Sequence, residues 1–138
     1  MSVDSEGLRY LASECVSLVR AEFGRDLDWE LDSLSELDAV CAQLLVDGPL
    51  VSERLDLWWK LIGAYTGEVV LRAYDGVWTE HEMAPGSLAV SVEGTVGFPF
   101  AVADRVLRGE PFKSLASFGR VFPHIGERAR TDSPDRCG

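Results

Sequence analysis

The sequence is poor in the residues that most often carry chemistry. Its 138 residues include two histidines and three cysteines. Cys15, Cys41 and Cys137 are odd in number and show no CxxC spacing, which argues against a metal-binding knuckle or a redox pair. His81 and His124 are far apart, and the second follows Pro123. There is no GxSxG elbow, no P-loop, no GxGxxG after a strand and no basic-aromatic stripe of the kind that binds RNA. Long apolar runs are missing too. The longest uncharged stretches, MAPGSLAVSV and GTVGFPFAVA, are ten residues each, well short of the roughly 20 needed to span a bilayer. The amino terminus, MSVDSEGLRY, lacks the basic-then-apolar layout of a secretory signal. A cytoplasmic location and no membrane contact are the expectations.

Positive charge is the other scarcity. Thirteen Lys and Arg stand against 23 Asp and Glu, a net charge of −10. The imbalance is uneven, because residues 1–60 carry thirteen acids against five bases. Phosphates would be repelled, which argues against nucleic acid or an anionic membrane as a general ligand and leaves a basic protein partner open beside simple solubility.

What is present is ordinary globular composition, 46% hydrophobic and 26% charged, in a chain long enough for one domain with its own core. Leu8, Leu11, Cys15, Leu18, Val19 and Phe23 recur at helical steps, with Gly24 as a stop. Cys15 and Cys41 fall on apolar helix faces, so both are expected to be buried and reduced. DLDWELD then alternates strictly, with Leu27, Trp29 and Leu31 on one side and Asp26, Asp28, Glu30 and Asp32 on the other. That alternation predicts a short strand or extended segment near 26–31 with one wet face. Ser33 and Glu36 match a capping box opening a second helix over Leu34, Leu37, Val40, Cys41, Leu44 and Leu45. Ser52 is the expected N-cap of a third helix running to about Tyr74. That helix is apolar nearly all round, which marks it as central.

From Gly76 the period becomes two. GVWTEHEM, SLAVSV and TVGF, separated by APG and EG, predict a three-stranded antiparallel meander. Two short helices follow, one opened by Pro99 and closed by Gly109, the other spanning SLASFGRVF. Residues 124–138 lose all periodicity and are expected to form a disordered tail beyond a single domain of residues 1–123. The fold class is therefore α+β: three N-terminal helices, a meander and two short C-terminal helices.

Four segments resemble, in order, a group of uncharacterised actinobacterial proteins. They are LDWELDSLSELDAV, LIGAYTGEVV, DGVW and FPFAVADRVLRGEPFKSLASF. The group's pattern is an LDY-like strand, a SLxxLD helix, a GAYLGEVL helix, a GGxW turn and a PFxxVxKRLxxG…SLxxFY tail. The similarity covers roughly residues 25–118, with Asp75 where the group often has glycine and Gly119 where it has an aromatic. The group is a domain of unknown function, so the resemblance implies a fold and no activity.

Three clusters are candidate sites. In LIGAYTGEVV, Gly63 and Gly67 share one face of the third helix and predict close approach of another backbone. Glu68 follows the stripe Leu57, Leu61, Ala64 and is expected to be structural, as an ion pair with Arg72 one turn on or as a partner for backbone amides of the first strand. TEHEM, residues 79–83, groups possible metal ligands. On a strand, however, Glu80 and Glu82 face away from His81, so solvated hairpin residues are the expectation, with no metal and no cofactor. The third cluster is Asp26, Asp28, Trp29 and Glu30, an acidic and aromatic surface suited to a protein partner. Together these predict a non-enzymatic acidic interaction module, immunity- or antitoxin-like in one form. The alternative is a small-molecule site or enzyme with a pocket between the third helix and the meander, lined by Tyr65, Glu68 and Trp78.

Overall fold

The computed structural model describes residues 5–80 and 88–121. Four helices and three strands follow in the order α1 (Ser5–Phe23), α2 (Ser33–Leu44), α3 (Ser52–Tyr74), β1 (Val77–Glu80), β2 (Leu88–Val92), β3 (Thr95–Gly97) and α4 (Pro99–Leu107). A last helix, α5, spans residues 115–121. The α+β class and the order of helices, meander and helices are as the sequence predicts.

α3 is the axis. Every residue from Leu61 to Val70 is buried, because α1 and α4 pack along its sides and β2 crosses it. Among these residues are the two glycines of the quoted stretch, and the structure supplies their reason. A Cβ on Gly63 would lie 2.3 Å from the Phe100 ring, and one on Gly67 would lie 2.1 Å from the Trp78 ring. The close approach is therefore made by two aromatic rings, from α4 and β1, rather than by a second backbone. Leu57 departs from the expected buried stripe and stays 48% exposed, since it precedes the stretch that α1 and α4 both cover.

The sheet is a meander in the order β1-β2-β3. Trp78 pairs with Val90 and Ser91 with Val96, both antiparallel. A two-residue turn joins β2 to β3, with Glu93 at φ 51° and Gly94 at φ 84°. Two positive φ values match the right-handed twist of the flanking strands, and glycine adopts one at no steric cost.

Several local expectations give way to tertiary contacts. The 26–31 segment alternates in burial as predicted, with Leu27 buried and Asp26, Asp28 and Glu30 exposed, yet it is irregular and pairs with no strand among the described residues. Trp29 takes a left-handed backbone, φ 68°, which breaks extended geometry at its centre. The capping box does not form. Asp32 occupies the N-cap of α2 without a side-chain bond, because Ser33 bonds elsewhere and Glu36 contacts Arg25. Val51, not Ser52, is the N-cap of α3. Within TEHEM, Thr79 and Glu80 lie in β1, while His81, Glu82 and Met83 fall outside the described residues, as do Phe122, Cys137 and the predicted tail.

Candidate acidic interface around Trp29

Trp29 organises the surface between α1 and α2. Its ring centroid is 5.0 Å from that of Tyr65 on α3, and the Arg72 guanidinium sits 4.1 Å from the indole centroid. Such a cation over an indole is attracted by the ring quadrupole, by about 0.5–1 kcal/mol at an exposed site. The Tyr65 hydroxyl accepts the Trp29 backbone N–H at 3.0 Å and lies 2.6 Å from the Ser33 hydroxyl. Ser33 in turn donates to the Glu30 carbonyl at 2.6 Å. These bonds fix an otherwise irregular loop to the central helix. Burial raises the Tyr65 phenol above its ordinary pKa, against the opposing bonds from Ser33 and Trp29. The phenol stays protonated at neutral pH and serves as a hydrogen-bonding hub.

On this base stands a rim of carboxylates. Asp28 accepts the Glu30 backbone N–H at 3.1 Å, an Asx turn that orients the Asp28 carboxylate. Asp26 is 3.5 Å from Arg20, Glu36 contacts Arg25, and Asp32 is 3.8 Å from Arg120. Asp28 and Glu30 have no ion pair among the described residues. Two shallow clefts adjoin here. One, of about 470 Å³, runs past Gly24, Arg25, Asp26, Asp32 and Glu36. The other, of about 310 Å³, is lined by Trp29, Glu30, Leu31, Arg72 and Ala73. Asp28 lines both.

The second cluster is brought together in part, by packing. Trp78 Nε1 donates to the Glu68 carboxylate at 2.7 Å, and Glu68 is only 6% exposed. Arg72, the partner expected from helical spacing, instead stacks on Trp29. Tyr65 and Trp78 serve different neighbours, and neither they nor Glu68 lines the two clefts of the Trp29 region. The seam between α3 and the meander is filled where the Trp78 ring meets Gly67. Among the described residues no three His, Cys, Asp or Glu side chains converge to hold a metal, and no helix is long and apolar enough to cross a membrane.

Sequence reasoning missed Asp38. Its two carboxylate oxygens accept the backbone N–H groups of Leu115 and Ala116 at 2.8 and 3.1 Å. One side chain of α2 thus satisfies the orphan amides that begin α5. The signal was its place in SLSELD, read only as a helix motif. The quoted segments prove to be bonded to one another: Ser33 to Tyr65, Glu68 to Trp78, Asp38 to the SLASF helix.

No family model matches this chain, and neither does any curated protein or solved structure.

Proposed function

We propose that this protein is a non-enzymatic interaction module that binds a basic protein partner on the rim formed by Asp26, Asp28, Trp29 and Glu30. The observation that carries this reading is the pairing pattern. Asp28 and Glu30 are exposed carboxylates without an ion pair among the described residues, held beside a half-buried tryptophan by bonds to the central helix. A rim of one sign beside an aromatic anchor suits an arginine- or lysine-bearing surface, which would supply both the missing charge and a stacking group. The net charge of −10 disfavours nucleic acid as the partner. A cytoplasmic neutraliser of a basic toxin, immunity- or antitoxin-like, is one form of this reading. Where Trp78 covers Gly67, an indole ring occupies the seam between α3 and the meander, which weighs against a small-molecule site at that point.

The test is affinity capture from a native lysate at low and high salt. The wild-type protein and an Asp26→Asn, Asp28→Asn, Glu30→Gln variant serve as parallel baits. A basic protein retained by the wild type at low salt, released at high salt and lost with the variant supports the reading. Equal capture by both baits contradicts it.

A further inference from the structure

The cleft of about 310 Å³ beside Trp29 holds charges of both signs. Asp28 and Glu30 line it from the loop and Arg72 from α3, with Trp29, Leu31 and Ala73 as the rest of its wall. The Arg72 guanidinium lies 4.1 Å from the indole centroid. A guanidinium engaged through its charge on a ring keeps its N–H fork free to meet an anion. Among the described residues the Arg72 side chain has no ion pair and no hydrogen bond, and Asp28 and Glu30 have no ion pair. The cleft therefore presents one unpaired cation and two unpaired anions to whatever enters it.

Its walls are set before a ligand arrives. Arg72 rises from the central helix, the Trp29 amide is bonded to Tyr65, and the Asx turn fixes the Asp28 carboxylate. A ligand of one charge gains little here. A cation drawn to Asp28 and Glu30 meets Arg72, and an anion drawn to Arg72 meets both carboxylates. A ligand that carries both charges satisfies all three groups. The volume is at the lower end of the roughly 300–1,000 Å³ of small-ligand sites, which suits a single amino-acid residue.

We propose that this cleft binds a lysine or arginine residue at the C-terminus of a polypeptide partner. The α-carboxylate of that residue takes the Arg72 fork, in the planar pairing that guanidinium and carboxylate favour. Its side-chain cation takes Asp28 and Glu30, and the methylene stem between the two charges lies along Trp29 and Leu31. An internal lysine or arginine lacks the carboxylate. A free basic amino acid brings an α-ammonium up against Arg72. The inference rests on the acidic-rim reading and adds to it the chemical identity of the group that the rim takes.

Three peptides test it by proton–nitrogen correlation NMR of the whole chain. They are acetyl-Gly-Gly-Arg with a free carboxylate, the same peptide as its C-terminal amide, and acetyl-Gly-Gly-norleucine with a free carboxylate. Titrated to about 10 mM at about 0.15 M salt, the arginine acid should shift the Trp29 amide and indole signals. The indole signals of Trp58, Trp59 and Trp78 should stay in place. The arginine amide and the norleucine acid should each bind about fivefold more weakly or worse. General attraction to a chain of net charge −10 predicts the opposite order for acid and amide, because the amide is the more positive peptide. Arg72→Gln should abolish the preference for acid over amide. Asp28→Asn combined with Glu30→Gln should abolish the preference for arginine over norleucine. Wild-type protein that binds the amide as tightly as the acid overturns the inference and leaves the acidic-rim reading standing. Free arginine bound as tightly as the arginine acid, or no shift at Trp29 with any peptide, also overturns the inference. Arginine peptides bound undiminished by the Asp28→Asn, Glu30→Gln variant would overturn both readings.

Discussion

The indole N–H of Trp78 donates to the Glu68 carboxylate at 2.7 Å while the same ring covers Gly67, so that a methyl group on Gly67 would sit 2.1 Å from it. One aromatic side chain of β1 thus accounts for both the missing Cβ and the buried acid on α3.

This geometry sets the sign of a substitution that helix propensity alone leaves open. Gly67→Ala gains up to about 1 kcal/mol of helix propensity but drives a methyl into a ring held on both sides. Net destabilisation of about 1–3 kcal/mol is expected from urea unfolding. Glu68→Gln keeps an acceptor for the indole and should cost no more than about 1 kcal/mol. Glu68→Leu leaves the Trp78 N–H buried without an acceptor and should cost about 1–3 kcal/mol. A Gly67→Ala protein more stable than wild type would show that β1 stands further from α3 than described.

The glycines and Glu68 were legible in the sequence as packing features because they violate helix economy where a buried helix would not tolerate it without cause. Their partners were not legible. Phe100 lies 37 residues beyond Gly63 and Trp78 lies 11 beyond Gly67, and no local pattern specifies which ring fills which notch. The acidic segment shows the same division. Strict alternation predicts which side chains face water, and Leu27 and Asp28 obey it, but it does not specify a pairing strand, and none is present among the described residues. Arg72 was placed with Glu68 by spacing along one helix. Trp29, held close by Tyr65, offers it a flat indole instead, and the i,i+4 contribution of a few tenths of a kcal/mol is too small to prevent that. Ser33 reads as a cap until Tyr65 and Glu30 take its hydroxyl.

Tyr65 is the hub that holds the acidic rim. Tyr65→Phe keeps the ring against Trp29 and removes the acceptor for its amide together with the bond to the Ser33 hydroxyl. A loss of about 1–3 kcal/mol is expected, with faster hydrogen exchange at the Trp29 amide measured by NMR. Unchanged exchange there would mean that the loop is held by packing alone.

Asp38 should give stability an unusual pH dependence. Burial raises its folded pKa above the ordinary 3.8, despite the lowering effect of its bonds to Leu115 and Ala116 and of the Arg120 charge. The folded state therefore holds this proton at a pH where the unfolded chain has released it. The contribution of Asp38 to stability is fully present below the unfolded pKa and is lost as pH rises through the folded one. Comparing wild type with Asp38→Asn, the stability difference in favour of the wild type should widen as pH falls from 7 toward 4. A difference that narrows over that range would show that the two backbone bonds outweigh burial.

The thiols should be silent. Burial pushes Cys41 up to about 12, with nearby Asp38 adding to it, and raises Cys15 further still. Thiolate is the reactive form, so neither has an appreciable nucleophile at neutral pH. In a Cys137→Ser background, a disulfide reagent should label neither cysteine in the native protein and both on unfolding. Native labelling at a rate independent of denaturant would place one of them at the surface.

The account stands most directly on the carboxylates beside Trp29 that have no ion pair among the described residues, and the rate at which a partner arrives reports on them. Association of the captured basic partner should be followed by stopped flow across a range of ionic strength, for the wild type and for the Asp26→Asn, Asp28→Asn, Glu30→Gln variant. Electrostatic steering predicts a wild-type association rate that falls steeply with salt. The variant should be slower by about tenfold or more at low salt, with a flattened salt dependence and a nearly unchanged dissociation rate. Equal association rates for the two proteins at every ionic strength would contradict it, and would leave the acidic rim as a solubility feature.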